Sequence, residues 1–226
     1  MKRAFLKHWF AAAILIFASL STTNAQDVVD KTVAVLSDGT RNELITYSDI
    51  LWQMALQPGT QLQPARSDDL NQAMQTLINQ RLFALEAQRL PRNAPSEKEL
   101  ADKINETVSY FSSPGVFEDR LKQVGFTSIK DENFQRLMAQ RLDIDKYVAF
   151  RFESFVVVTL DEERRYYRDV FAPDFRRRSP GLLLPTFEER KREIRETLVR
   201  QKVAASIERF LDEAKQRVEI AILIEV

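Results

Sequence analysis

"VVDKTVAVLSDGTRNELITYSDI", residues 28 to 50, decides how this chain begins to fold. Val33 to Leu36 is rich in β-forming residues, Asp38-Gly39 is a strong turn signal, and Glu43 to Thr46 can return as a second strand. Thr46 stands three residues before Asp49, which is the spacing of a capping box at the start of a helix. The stretch therefore predicts a β-hairpin that leads directly into a helix.

The other end of the chain predicts one more strand. "VEIAILIEV", residues 218 to 226, is rich in β-branched residues and follows a long helical pattern. A solitary strand needs a partner, and the N-terminal hairpin is the best candidate. We therefore expect one small sheet that joins both ends of the chain.

The residues between these ends predict helices. Ser67 opens one helix, Ser96 and Glu99 form a capping box for the next, and a short helix through Phe117 stops at Gly125. A further helix runs from about Asp131 to Phe152. The predicted fold class is mainly α, a multi-helix core with a small sheet formed by the N-terminal hairpin and the C-terminal strand.

The third quarter of the chain is less regular. Phe155 to Thr159 predicts a short strand, and Thr159 with Glu162 predicts a helix start. Proline-rich residues 169 to 185 predict a short bridge. Thr186 and Glu189 then form another capping box, which starts the longest helix, to about Arg217.

The first 25 residues indicate a cleaved secretory signal. Lys2, Arg3 and Lys7 precede an apolar run from Trp9 to Leu20, and small residues predict cleavage after Ala25. A membrane anchor is the alternative, but the run is shorter than the roughly 20 residues that a spanning helix needs. We therefore expect a periplasmic protein with no stable membrane insertion after cleavage.

Composition excludes several kinds of chemistry. The chain has no cysteine, and its single histidine, His8, lies in the predicted signal. The mature chain therefore offers no Ser-His-Asp triad, thiolate nucleophile or His/Cys zinc site, and we expect no cofactor, metal or catalytic residue. Carboxylate chemistry remains open, although no acidic pair stands out.

The charge balance bears on partners. Removing Lys2, Arg3 and Lys7 leaves 30 basic residues against 33 acidic ones. This weakly acidic balance gives no electrostatic case for nucleic acid or an anionic membrane as a partner of the whole chain. Arg176 to Arg178 would suit acidic client segments or lipid phosphates, but three charges fall below the usual polybasic cluster, so a solvated linker face is the favoured interpretation.

The order of elements resembles the periplasmic chaperones of the SurA type and, more distantly, the PrsA-type foldases. Three stretches carry the resemblance: the hairpin segment quoted above, "LINQRLFALEAQRL" (77–90), and "IRETLVRQKVAASIERFLDEAKQRVEIAIL" (194–223). The resemblance implies a helical chaperone core closed by a small sheet. It also implies unfolded exported polypeptides, outer-membrane proteins among them, as partners.

Relatives of this type carry parvulin prolyl isomerase domains after the strand that corresponds to Phe155–Thr159. Only about 25 residues separate Leu160 from Thr186, whereas a small domain of this kind needs about 90–100. The parvulin site also depends on histidines, which the mature chain lacks. We therefore predict the segments 1–25 (signal), 26–160 (helical module), 161–185 (short linker) and 186–226 (helix and strand), without isomerase activity.

Three functions remain open at this point. The first is a general holdase that binds unfolded segments through adaptable apolar side chains. The second is a dedicated assembly factor for one envelope protein, with Trp52 and Tyr166-Tyr167 as candidate anchors. The third is an enzyme, either a divergent isomerase or a carboxylate hydrolase.

The candidate client-binding residues are a set of methionines and aromatics on the predicted helices. Each of them has a competing interpretation as a core residue, because apolar residues at helical spacing usually pack inward. The set consists of Met54, Met74, Tyr110, Phe111, Phe117, Phe126 and Met138.

Overall fold

A three-stranded antiparallel sheet joins the two ends of the described chain. The computed structural model describes residues 30–89 and 94–224. Strands β1 (Thr32–Ser37), β2 (Asn42–Thr46) and β3 (Glu219–Ile222) lie in the order β2-β1-β3. Leu36 pairs with Glu43 on one side and with Ile220 on the other. The predicted sheet is thereby confirmed, with the C-terminal strand beside the N-terminal one.

Five helices follow the β1–β2 hairpin. Their bounds are α1 Tyr47–Ala55, α2 Ser67–Ala87, α3 Glu97–Ser109, α4 Pro114–Gln123 and α5 Glu132–Val148. The capping boxes at Thr46 and Ser96 form as predicted, since each side chain accepts from the backbone N–H three residues on. Helix α2 contacts both α1 and α5, so it lies at the centre of this region.

The remaining helices form an antiparallel pair. The first arm contains α6 (Leu160–Tyr166), a π-helical turn (Tyr167–Phe171) and α7 (Ala172–Arg178), and the second arm is the long helix α8 (Phe187–Arg217). We call residues 160–200 the helical hairpin, and the sheet with α1–α5 and the C-terminal half of α8 the body. The mainly α fold with a small sheet is confirmed.

Burial is concentrated in the body. One cluster lies between the sheet, α1 and α2 and includes Leu36, Ile45 and Ile50. A second cluster joins α3, α4 and α5 around Phe117 and Phe134. A third cluster packs Phe83 and Tyr147 against Phe210 of α8 and so attaches the long helix to the body.

One half-buried arginine connects the elements of the body. The Arg120 guanidinium on α4 donates to the carbonyl oxygens of Met54 (2.8 Å), Ala55 (3.0 Å), Gln57 (3.1 Å) and Thr60 (2.8 Å). These carbonyls belong to the last turn of α1 and the residues just after it, where helical acceptors lack intrahelical donors. Burial lowers the pKa of Arg120. This side chain therefore caps α1 from a neighbouring helix.

Two segments differ from the sequence-based expectation. Residues 156–159 have no regular secondary structure and pair with no strand in the described parts of the chain, and the Val157 carbonyl instead accepts from Lys202 Nζ at 2.8 Å. The 161–185 segment is mostly helical rather than a linker, because the first arm continues through Pro173 to Arg178. Only residues 179–186 form the irregular connection.

Some predictions fall outside the described residues. These are the signal peptide over 1–25, cleavage after Ala25, and the last two residues of the terminal strand. Within residues 30–89 and 94–224, no helix combines the length and the apolar character needed to span a bilayer.

Candidate functional site

Five of the seven predicted client-binding side chains lie in the core. Met54 and Met74 pack beneath the sheet, whereas Phe117, Phe126 and Met138 pack among α3, α4 and α5. Apolar side chains at helical spacing were also expected to fill the core, and here that interpretation describes all five. They stabilise the body, and all five are buried.

Phe111 and Tyr110 lie at the end of α3. The Phe111 ring packs 4.9 Å from that of Phe117, below the Arg120 guanidinium. Tyr110 is exposed, and its hydroxyl donates to Glu106 Oε1 at 2.7 Å. This hydrogen bond to a carboxylate raises the pKa of the Tyr110 hydroxyl. Tyr110 is thus the one member of the predicted set that is largely open to solvent.

Tyr110 and Met138 meet at a cavity of about 390 Å³ between α2, α3 and α5. Its apolar part includes Phe83, Ile144 and Val148, and its polar part includes Asn79, Lys103 and Arg141. A cavity of this size holds one large side chain or a short peptide segment. The sequence prediction therefore found two residues of this cavity without indicating the cavity itself.

The polar atoms of the cavity are incompletely paired. Lys103 Nζ bonds Asp145 (2.9 Å) and Glu106 (3.0 Å). The Arg141 guanidinium donates to Gln53 Oε1, but within the described residues its buried Nε has no hydrogen-bond acceptor and the group has no ion pair. Burial lowers the pKa of Arg141 to about 10. Arg141 therefore has a buried donor that lacks an acceptor among the described residues.

Asn79 complements this donor. Its Oδ1 atom is buried and, among the residues described, accepts no hydrogen bond. Buried polar atoms are normally paired, so such an atom costs free energy until it finds a donor. Asn79 Oδ1 and Arg141 Nε are thus two buried polar atoms without partners in residues that line the cavity.

A second feature is an exposed apolar surface that follows α5. Phe155 and Val157 are each 71% exposed, and Phe150 and Leu160 are also exposed. The rings of Phe150 and Phe155 meet edge to face, with centroids 5.9 Å apart. We call these four side chains the 150–160 apolar surface. Sequence reasoning missed it, because Phe155 and Val157 were assigned to a strand.

A π-helical turn, Ala149–Glu153, positions this surface. It carries Phe152 into the third core cluster, 6.1 Å from Phe83 and 5.4 Å from Phe210, while Phe150 remains outside. Extra residues of this kind inside helices often accompany functional sites. Two signals in the sequence pointed to the surface: Phe150 falls off the buried stripe of α5, and Phe155 and Val157 share one side of an extended segment.

Contacts from α8 hold the segment in place. Lys202 Nζ donates to the Val157 carbonyl at 2.8 Å and pairs with Glu162 Oε1 at 2.7 Å. Val158 is turned inward and buried. The apolar side chains are therefore presented by an anchored backbone.

The candidate partner anchors Trp52 and Tyr167 make contacts within the protein. The Trp52 indole donates to the Val124 carbonyl at 3.0 Å and packs 4.9 Å from Phe126, and the Tyr167 hydroxyl donates to the Pro185 carbonyl at 2.8 Å. Tyr166 lines a shallow depression with Val170 and Leu198 on the helical hairpin. Trp52 and Tyr167 therefore act in internal packing.

No protein-family model matches this chain, and no curated protein matches it. The resemblance to periplasmic chaperones accordingly stays a prediction based on the three quoted stretches, and the functional argument depends on the site itself.

Proposed function

We propose that this protein is a periplasmic chaperone of the SurA type that holds unfolded segments of exported polypeptides, outer-membrane proteins among them, without prolyl isomerase activity. The observation that carries the proposal is the 150–160 apolar surface. Solvent-exposed clusters of large apolar side chains commonly mark interaction sites on soluble proteins. Unfolded polypeptides expose the complementary apolar groups.

The chemistry of the surface suits weak, unspecific binding. Covering one exposed phenylalanine or valine contributes about 1–2 kcal/mol, so a few such contacts give reversible binding. The cavity between α2, α3 and α5, about 390 Å³ with Phe83, Ile144 and Val148 in its lining, adds a place for one apolar side chain of the client. Such contacts do not depend on the client's sequence.

An aggregation-suppression assay tests the proposal. The triple variant Phe150→Ser, Phe155→Ser, Val157→Ser removes most of the surface, and light scattering is followed for several unrelated denatured proteins. We expect half-maximal protection to require at least about tenfold more variant than wild type, since three apolar contacts are lost. The matched control, Leu44→Ser with Val116→Ser, removes two exposed apolar side chains elsewhere and should protect like the wild type.

Other results would contradict the proposal. Unchanged protection by the triple variant, with an unchanged circular dichroism spectrum, would exclude the 150–160 apolar surface as the client site. Protection of no unrelated client, together with capture of a single envelope protein, would favour the dedicated assembly factor. Acceleration of proline isomerisation in a model peptide would refute the absence of isomerase activity.

A further inference from the structure

The tip of the helical hairpin presents an apolar turn to solvent. Leu182 is 69% exposed and Leu183 is 93% exposed, in the irregular connection between α7 and α8. Gly181 adopts φ +86° in this turn, and the Leu182 N–H donates to the Ser179 carbonyl at 3.2 Å. The Tyr167 hydroxyl holds the Pro185 carbonyl from the opposite arm. These contacts fix the backbone of the turn, so the two leucines are held outward.

Basic side chains flank this turn on both arms. Between residues 174 and 192 the chain has twice as many basic as acidic residues, whereas the mature chain as a whole is weakly acidic. The basic side chains are Arg176, Arg177, Arg178, Arg190, Lys191 and Arg192, and the acidic ones are Asp174, Glu188 and Glu189.

Nearby carboxylates pair with four of these six basic side chains, whereas Arg176 and Lys191 have no ion pair among the described residues. Asp174 pairs with both Arg177 (2.5 Å) and Arg178 (3.6 Å). Farther along α8, Arg190 pairs with Glu193 and Arg192 with Glu196. All of these pairs are solvent-exposed, and exposed pairs contribute little free energy and exchange readily. The arginines are therefore available to other anions.

We propose that the tip of the helical hairpin docks on anionic lipid bilayers, with Leu182 and Leu183 inserted among the headgroups and the arginines bound to lipid phosphates. Two exposed leucines or a few arginines bind a membrane only weakly on their own. An apolar element beside a basic cluster, however, gives stable peripheral binding to an anionic bilayer. A protruding turn has no concave surface to enclose a protein partner, whereas a bilayer interface accommodates a convex apolar tip. The overall acidic charge does not oppose this, because charges beyond a Debye length of about 8 Å are screened.

Vesicle sedimentation tests the binding. The full-length mature protein is mixed with vesicles of phosphatidylglycerol and phosphatidylethanolamine, and separately with phosphatidylcholine vesicles. We expect sedimentation with the anionic vesicles only, falling as salt is raised. The variant Arg176→Gln, Arg177→Gln, Arg178→Gln should bind about fivefold more weakly for each charge removed. The variant Leu182→Ser, Leu183→Ser should bind about tenfold more weakly.

Two control variants remove exposed charges or an exposed apolar side chain at other positions of the protein. Lys98→Gln, Lys122→Gln, Lys130→Gln takes three exposed charges from other elements, and Val116→Ser removes an exposed apolar side chain. Both controls should bind like the wild type. Absence of wild-type binding at low salt, or equal weakening by the controls, would overturn the proposal, as would capture of an acidic protein by the tip without any vesicle binding.

Leu183→Trp distinguishes insertion from adsorption. We expect the added tryptophan emission to shift to the blue when the variant binds anionic vesicles, since the indole enters the headgroup region. Sedimentation without such a shift would show attachment by charge alone and would overturn the insertion of the leucines.

Discussion

The body and the helical hairpin are stabilised in different ways. The body contains large side chains that are completely buried, such as Phe117, Phe134 and Ile45. Over residues 160–200, the buried side chains are Ala172, Ile194 and the charged Glu163. Apolar burial therefore stabilises the body, whereas the helical hairpin depends on local helix formation and a few specific contacts.

Local signals are correspondingly strong in the helical hairpin. Thr159 and Thr186 each form a capping box at the start of an arm. Stacked rings of Tyr167, Phe171 and Phe175 line the first arm. Regions with few buried apolar contacts open at a smaller free-energy cost than the rest of a protein. We therefore expect the helical hairpin to open independently of the body.

The largest expected effect compares two phenylalanines. Phe117→Ala should lower the free energy of unfolding of the body by about 3–5 kcal/mol, because a fully buried ring is lost and a cavity remains. Phe175→Ala should lower it by less than about 1 kcal/mol, since this ring is only half-buried on the helical hairpin. Urea denaturation followed by circular dichroism measures both. Equal losses would show that the two regions are stabilised alike.

A smaller effect concerns the buried carboxylate of the helical hairpin. Glu163 is fully buried, and Arg195 Nε donates to its Oε1 atom at 2.5 Å. Arg195→Met should lower the opening free energy of residues 160–178 by about 2 kcal/mol, because a buried charge loses its partner. Native-state hydrogen exchange should show this loss while the protection of α2 is unchanged.

The control for this variant is Arg192→Met, on an exposed face of the same helix. Its exchange rates should match those of the wild type. Adding Glu163→Leu to Arg195→Met should restore part of the protection, since an apolar pair replaces the charged one. Unchanged exchange over 160–178 in Arg195→Met would show that the Glu163–Arg195 ion pair does not stabilise this region.

The smallest expected effect is a dependence on pH. The hydrogen bond from Lys202 and those from Thr159 lower the pKa of Glu162 from 4.5 to about 2. The contribution of this carboxylate is therefore complete above pH 4.5 and is lost as the pH falls toward 2. In Lys202→Met the carboxyl pKa, measured by NMR titration, should move back toward 4.5. A pKa that stays near 2 would assign the shift to the capping box alone.

Much of the fold could be predicted from residues that act locally. The boxes at Thr46, Ser96, Thr159 and Thr186 all form, because a side chain and a backbone group three residues apart suffice. The partner of the terminal strand β3 was also predictable, since the β1–β2 hairpin has unpaired strand edges with which β3 can form hydrogen bonds.

The π turns and the helical course of 161–178 were not predictable in the same way. A proline such as Pro173 commonly ends a helix, but here a π-helical turn comes directly before α7 and the helix continues. The candidate site escaped prediction for a related reason. Burial of Phe117 and exposure of Phe155 depend on how helices distant in sequence pack against each other. Apolar spacing alone does not show which apolar side chains this packing covers.

The position of β3 makes completion of the sheet depend on residues that are synthesised about 170 residues after β2. Because synthesis proceeds from the N-terminus, β1 and β2 exist long before the residues that pair with Ala34 and Leu36. Until then one edge of β1 is open, and unpaired edges attract other strands. A chain that stops before Glu219 keeps that edge permanently. Copies truncated before Glu219 therefore differ from copies that contain β3 in the strand that forms this edge of the sheet: it is β1 in the truncated copies and the short strand β3 in the others.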